Sequence, residues 1–279
     1  MSALPERSLI SNQVRQALVE DLGSGDLTAR LLDEHAEVEA RILCRESAVL
    51  CGVDWADEVY RQLDPTITID WRAADGDPIA PDQVICRLRG NSRSLLSGER
   101  TVLNYLQTLS GTATVARRYA EAVSGTGVKI LDTRKTIPGL RLQQKYAVTC
   151  GGCHNHRVGL YDAVLIKENH VRVAGSVAAA LAKARETAPA GVSIEIEVES
   201  LEELKEALAA EARRVLLDNF EPWMLKEAVK LNAGQARLEA SGGVDLQTIR
   251  VIAETGVDDI SVGALTKDVR AVDLSMLFV

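Results

Sequence analysis

No run of about 18 apolar residues occurs anywhere in the 279 residues, so the sequence offers no membrane-spanning helix. The start, MSALPERSLISNQ, lacks a basic stretch leading into an apolar core, which argues against a secretory signal. Cysteine is sparse: five residues, an odd number without a disulfide-like spacing, fit a reducing cytoplasm. Short repeats and low-complexity segments are also missing. Positive charge is in deficit, with 32 Lys and Arg against 40 Asp and Glu and a net charge of −8. That balance argues against a nucleic-acid or anionic-membrane surface. What remains is ample apolar content for a packed core, in one large domain or two modest ones.

The first hundred residues read as an α+β module. Val14, Ala17, Leu18 and Leu22 recur at helical spacing over residues 12 to 22, after candidate caps at Ser11 or Asn12. LGSGDLT is a loop in which Asp26 or Thr28 caps the next turn. Alternation predicts a strand pair from Val38 to Leu50, a helix from Asp54 to Leu63, and strands in ITIDW and in GDPIAPDQVICRLRG, the sheet being antiparallel. From 97 to 123 the pattern changes. Val102, Leu103, Leu106, Leu109, Ala113 and Ala116 describe a long amphipathic helix, with Gly111 as a point of interruption, that bridges to a second domain. The boundary is placed near residue 110, giving domains 1–110 and 111–279, with the last few residues able to return to the first.

Beyond the bridge, strands and helices alternate. The expected strands are Val128–Asp132, Ala163–Lys167, Ser193–Val198, Val215–Asp218, Arg237–Ala240 and Asp259–Val262, with a further one hidden around Val148. The helices between them are Val177–Thr187, Leu201–Ala210, Pro222–Leu231 and Leu246–Thr255. Such alternation means a parallel sheet, here read as an α/β barrel short of eight strands.

Charge is unevenly spread along this half. Residues 130–170 hold six Lys or Arg against three acids, and three of the four histidines. A cationic island in an acidic chain suggests an anionic ligand. Strand ends then supply Arg134 and Lys135, Lys167 and Glu168, Glu195 and Glu197, Asp218 and Asn219, Ser241-Gly242-Gly243, and Gly263. In a parallel barrel these ends surround one mouth. SGG suits phosphate, because N–H groups unshielded by side chains can face the anion beside a helix N-terminus. Glu197 and Asp218 suit a hard cation such as Mg²⁺. Glu195, Glu197 and Glu199 alternate on one strand face, which demands cations opposite, and the basic residues of the first strands are candidates.

Cys150-Gly-Gly-Cys153-His154 matches the c-type haem pattern, but no export signal accompanies it. A zinc site from Cys150, Cys153, His154 and His156 has too tight a spacing, and no thioredoxin-like unit surrounds the pair. The glycines are read as a turn that brings His156 and Arg157 to the mouth.

DTRKT-PGLR, GG-HNHR-GL-D, LIKENH, IEIEVES, LLDNF, EASGG and SVGALT, with EDLGSGDLT and GERTVLNYLQTLSG before them, closely resemble the quinolinate phosphoribosyltransferases over nearly the whole chain. Cys153 departs from the glycine common in relatives. The resemblance implies an α/β protein with an N-terminal α/β sandwich and an incomplete, seven-stranded α/β barrel. It further implies a homodimer or a multiple of dimers. The implied reaction joins quinolinate to 5-phosphoribosyl 1-pyrophosphate with Mg²⁺, giving nicotinate mononucleotide, pyrophosphate and CO₂ for NAD biosynthesis. By motif, quinolinate would meet Arg134, Lys135, His156, Arg157, Lys167 and an Arg100 from the neighbouring subunit. Glu197, Asp218, Ser241, Gly242, Gly243 and Gly263 would serve ribose, metal and phosphate. Lys135, Lys167, Glu197 and Asp218 would be the catalytic set. Three rivals stand beside it: a phosphoribosyltransferase for another base such as nicotinate, a Schiff-base aldolase using Lys167, and a non-catalytic dicarboxylate binder.

Overall fold

A computed structural model describes residues 4–279, so the first three residues of MSALPERSLISNQ lie outside the account. In chain order the elements begin with α1 (Arg7–Leu22), β1 (Glu37–Cys44), β2 (Ala48–Val49), α2 (Val53–Leu63), β3 (Thr68–Trp71), β4 (Pro78–Ile79), β5 (Val84–Asn91) and α3 (Ser92–Ala122). Then come β6 (Lys129–Leu131), α4 (Arg141–Cys150), β7 (Ala163–Ile166), α5 (Glu168–Ala174), α6 (Val177–Thr187) and β8 (Ser193–Val198). The chain closes with α7 (Leu201–Ala209), β9 (Arg214–Asp218), α8 (Pro222–Asn232), β10 (Arg237–Ser241), α9 (Ile249–Ala253), β11 (Asp259–Ser261), α10 (Ala264–Lys267) and β12 (Leu274–Phe278). No helix of the described residues is long and apolar enough to cross a membrane.

Two compact units result. One takes the residues up to 117 together with 142–152 and 268–279; the other takes 118–141 and 153–267. By contacts the two units part at residue 117, within α3, and the closing residues return to the first unit. The first unit holds an antiparallel sheet of order β12-β1-β5-β3. Its inward residues, such as Ile42, Leu88 and Met276, share a core with Val14 of α1, Trp55 and Val59 of α2, and Val102, Leu106 and Leu109 of α3. A register shift between Ile42 and Leu43 breaks the alternation of β1, so both side chains are buried. The expected strand pair over 38–50 is corrected here, since β1 pairs with β5 and β12 whereas β2 pairs only with β4. Gly111 does not interrupt α3. It lets the helix pass close to the chain at 270, where an added Cβ would overlap the Arg270 carbonyl oxygen.

The second unit is a parallel sheet of order β6-β11-β10-β9-β8-β7. Its helices start where the sequence supplies caps. The Ser176 hydroxyl accepts the Ala179 N–H to open α6, Ser200 accepts the Glu203 N–H to open α7, and Pro222 stands in the first turn of α8. A seventh member joins at the free edge of β6, where His154 makes a parallel bridge to Leu131. Its backbone exchanges two hydrogen bonds with that edge, His154 N–H to Ile130 O at 2.8 Å and Asp132 N–H to His154 O at 3.0 Å. The hidden strand expected around Val148 is thus misplaced. Val148 is a buried residue of α4, and the seventh pairing lies six residues later. The helix expected from Leu246 is also shorter, beginning only at Ile249.

Candidate active site

Because β6 and β11 are neighbours, the first and last strand ends of the barrel meet. Val262 N–H bonds Leu131 O at 2.9 Å, and the Thr266 hydroxyl donates to Lys135 O at 2.8 Å. The Lys135 side chain lies across Gly263, where an added Cβ would sit 3.1 Å from its Cδ. Lys135 and Gly263, 128 positions apart in sequence, are therefore in contact.

Arg134 and Arg157 form the second group. Burial, and then the nearby charge of Arg134, hold the Arg157 guanidinium below its ordinary value. The Arg134 Nε is buried without a hydrogen-bond partner. Neither arginine has an ion-pair partner among the described residues. Two guanidiniums whose charges repel, one with a buried unsatisfied donor, are costly unless an anion joins them. Arg141, absent from the expected set, fixes this corner. It donates to Thr136 Oγ1 at 3.1 Å, to Val158 O at 3.3 Å and to Arg134 O at 3.4 Å.

At the other edge of the sheet, Lys167 just after β7 donates to Glu197 Oε2 of β8 at 2.9 Å, with its side chain half exposed. That pairing weakens the aldolase alternative, which needs a desolvated, uncharged lysine. Asp218 ends β9 in register with Ser241 of β10. The Glu199 carboxyl is raised from its ordinary value, chiefly by a hydrogen bond with Glu168, with Asp218 adding to the effect. Glu168, Glu199 and Asp218 thus form an acidic rim beside the cations.

The glycine turn has a local cause. Asn219, at φ +56°, donates its N–H to Ser241 O at 2.8 Å. Gly242, at φ +102°, passes so close that a Cβ there would overlap the Asn219 Oδ1. Gly243 follows at φ +60° with open space around it. Only glycine meets both demands at 242. The expectation of a helix N-terminus beside this turn is corrected. Asp245 Oδ1 accepts the Gln247 and Thr248 N–H groups at 2.9 Å, and the helix behind them has only five residues. Backbone geometry alone presents this turn.

His156 is placed differently from the other expected residues. Asp132, fully buried, accepts the His156 N–H at 2.9 Å and the Asn155 amide at 2.6 Å, so it anchors the loop. The imidazole points into the barrel. Its Nε2 lies 2.8 Å from Glu195 Oε2 and 3.4 Å from Glu239 Oε2, while Nδ1 accepts the Arg157 N–H at 2.8 Å. Burial opposes a charge on this ring; the two carboxylates outweigh it and raise the group to about 9. The amide hydrogen aimed at Nδ1 works the other way, and the tautomer this contact fixes has the proton on Nε2. Glu195 is thus met by His156 and by Arg214 at 3.5 Å. Among the described residues no first-strand cation forms an ion pair with Glu195, and Lys167 takes that role for Glu197.

Arg100 is an exposed residue of α3 in the first unit. Of the CxxCH segment, Cys150 alone enters a metal-capable group among the described residues. The metal-capable groups among the described residues are His156 with Glu195 and Glu239, and Cys51 with Asp75 and Cys150. Arg141 and Asp132 belong to the charged 130–170 segment but are not among the expected site residues, and neither is Glu239, because each lies within an ordinary-looking local pattern. The one signal at Glu239 is an acid between the apolar residues of the LEAS strand.

The model of the quinolinate phosphoribosyl transferase C-terminal domain matches residues 112–277, and that of the N-terminal domain matches residues 26–110. The probable nicotinate-nucleotide pyrophosphorylase (carboxylating) of Bacillus subtilis is 42% identical over 258 residues, covering 92% of this chain and 89% of its own. The corresponding enzyme of Mycobacterium leprae is 43% identical over 273 residues, covering 94% and 95%. The solved nicotinate-nucleotide pyrophosphorylase of Francisella tularensis superposes with a TM-score of 0.96 at 47% identity, covering 100% of this chain and 98% of that one.

Proposed function

This chain belongs to the quinolinate phosphoribosyl transferase family, and on that premise we propose how its barrel mouth divides the work of the reaction. The activity is transfer of phosphoribosyl from 5-phosphoribosyl 1-pyrophosphate to quinolinate with decarboxylation, yielding nicotinate mononucleotide, pyrophosphate and CO₂. The observation that carries our assignment is the pair Arg134 and Arg157: the charge of one acts on the other, neither has an ion-pair partner among the described residues, and the Arg134 Nε is a buried, unpartnered donor. Quinolinate brings two adjacent carboxylates, whose planar geometry matches guanidinium forks.

With those carboxylates held, the pyridine nitrogen faces the ribose C1, and attack there breaks the bond to pyrophosphate. Lys135, lying on Gly263, and the Gly242–Gly243 turn take the phosphate groups. Lys167, steadied by Glu197, adds charge where the oxocarbenium and the departing pyrophosphate develop. Glu197 and Asp218 are carboxylates on adjacent strand ends, a donor set that fits Mg²⁺ together with substrate phosphate oxygens. When bound, Mg²⁺ would supply charge neutralisation for the leaving group. Once the ring nitrogen is cationic, the C–C bond to the neighbouring carboxylate breaks, and its electron pair stays on the carbon beside N⁺ until a proton arrives. His156, with both ring nitrogens engaged, positions the Arg157 backbone rather than touching substrate.

The same reading makes the protein a homodimer in which Arg100, exposed on α3, enters the neighbour's site, and places it in the cytoplasm, consistent with five free cysteines. Incubation with quinolinate, phosphoribosyl pyrophosphate and Mg²⁺ should release CO₂ and nicotinate mononucleotide in equal amounts. Turnover of nicotinate in place of quinolinate would sink the assignment of the arginine pair. Arg100→Ala and Lys135→Ala, each inactive, should recover partial activity when their subunits are exchanged. Absence of recovery after proven exchange would remove the shared site.

A further inference from the structure

The first unit contains a second convergence of chemically active groups, separate from the barrel mouth. Cys51, Asp75 and Cys150 come from three segments far apart in sequence, and their sulfur and carboxylate ligand atoms all lie within 4.8 Å of one another. We propose that these three side chains form a site for a thiophilic divalent cation of the Zn²⁺ class, with water in the fourth position.

Every ligand is fixed by its own support. The Ser110 hydroxyl donates to Cys51 O at 3.3 Å and accepts its N–H at 2.9 Å. Asp75 Oδ1 accepts the Gly52 and Val53 N–H groups at 2.9 and 3.1 Å, and Oδ2 accepts the Tyr146 hydroxyl at 3.0 Å. The Tyr146 ring is held 5.8 Å from that of Trp55. Arg117 then ties the other two segments together, donating to Gly76 O, Cys150 O and Gly151 O at 3.1–3.3 Å. Hydrogen bonds that orient the ligands before the ion arrives are characteristic of metal sites.

The ligand types choose the cation. Two thiolates select a soft or borderline ion, and the single carboxylate does not offer the oxygen cage that Mg²⁺ needs. A tetrahedral zinc, with Zn–S about 2.3 Å and Zn–O about 2.0 Å, sets sulfurs about 3.8 Å apart and sulfur and oxygen about 3.5 Å apart, so the present cluster closes by at most about 1.3 Å. Binding displaces the thiol protons to solvent and leaves two thiolates and one carboxylate on the ion, a net charge of −1 at the site. Cys150 ends α4, six positions before His156, so the ion would also pin the start of the segment leading to the mouth.

Cobalt(II) is the probe. The reduced full-length protein should take up one Co²⁺ per chain with a thiolate-to-cobalt charge-transfer band in the near ultraviolet. Zn²⁺ should displace it stoichiometrically, and Mg²⁺ in large excess should not. Cys150→Ser should abolish the band, Asp75→Asn should weaken binding at least tenfold, and Cys86→Ser should change neither. Cys51→Ser should behave as Cys150→Ser does. If that fully buried position fails to fold, Cys150→Ser and Asp75→Asn, both less buried, decide the matter. Zn²⁺ should also raise the melting temperature of the unsubstituted chain but not of Cys150→Ser. The proposal falls if the reduced chain shows no band, or if the band survives Cys150→Ser. It falls equally if air oxidation yields a Cys51–Cys150 disulfide while the reduced chain ignores cobalt.

Discussion

The mouth of the barrel and the layers beneath it are built from the same residue types, arginine, lysine, glutamate and aspartate, yet three of the mouth's cations stand in the opposite state, Lys167 with its Glu197 partner being the exception. Beneath the mouth, charge is matched. Arg214 reaches Glu195, Glu239 and Asp259 at 3.5–3.6 Å, Arg237 pairs with Asp259, and His156 bonds Glu195. At the mouth, Arg134, Lys135 and Arg157 have no ion-pair partner among the described residues. A protein that carries 40 acids had carboxylates to spare for them. Their isolation beside buried, neutralised relatives separates ligand-binding charge from fold-supporting charge. It follows that a residue's type says little about its role, whereas the local balance of charge says much.

Four changes test that contrast, the largest first. At the mouth, Arg157→Ala or Lys135→Ala should lower kcat/KM by roughly 10²–10³-fold, the usual cost of losing one preorganised charge contact. The melting temperature should stay essentially unchanged, since no partner is stranded. Steady-state kinetics alongside calorimetry would show it, and a large loss of stability would erase the distinction. Beneath the mouth, Arg214→Met should act in reverse. It strands buried carboxylates and should cost about 3 kcal/mol in denaturant unfolding. Folded enzyme at low temperature should keep most of its kcat.

Gly242→Ala sharpens the comparison at the rim. Strain at φ +102° and overlap with Asn219 should raise KM for phosphoribosyl pyrophosphate roughly tenfold, with a stability cost of about 1–3 kcal/mol. A KM change confined to quinolinate would contradict the phosphate role. The smallest effect is expected at Glu239, whose carboxyl is raised above its ordinary value by burial, against the bond from His156. A carboxyl raised in the folded state gives stability at low pH that is lost as pH rises from about 4.5 toward the folded value. Glu239→Gln, a neutral mimic, should therefore gain on the unsubstituted chain as pH rises between 5 and 8. Melting curves that run parallel with pH would mean this carboxyl is ionised like the others.

Several strand ends are readable from sequence because a short apolar run terminates in charge, as in ILDTRK and AVLIKENH, and two others because it terminates in glycine. Helices α6, α7 and α8 were readable for a related reason, since local caps and apolar periodicity agree there. By contrast, the sequence around Val148 suggests a strand where α4 runs. Its Gln143, Gln144 and Lys145 are polar in type but fully or almost fully buried, so the apolar rhythm that marks a helix is disguised. The seventh pairing could not be found by pattern at all, because a single bridged residue at His154 has no periodicity. Gly111 misled in the opposite direction. A glycine within a helix normally signals weakness, and here it serves close approach to the Arg270 carbonyl.

By itself, the sequence determined the alternation of strands and helices, the family, and the set of charged residues available for an anionic substrate. These depend on nearest neighbours along the chain, or on motifs that survive in order. Tertiary structure alone decided which charges cancel. Whether His156 faces substrate or Glu195, whether Lys135 lies on Gly263, and whether Cys150 meets Cys51 rather than Cys153 all depend on register between distant segments. Electrostatic and ligand-binding energies fall steeply over a few ångströms, and distances on that scale are set only when the sheets close and the loops are anchored.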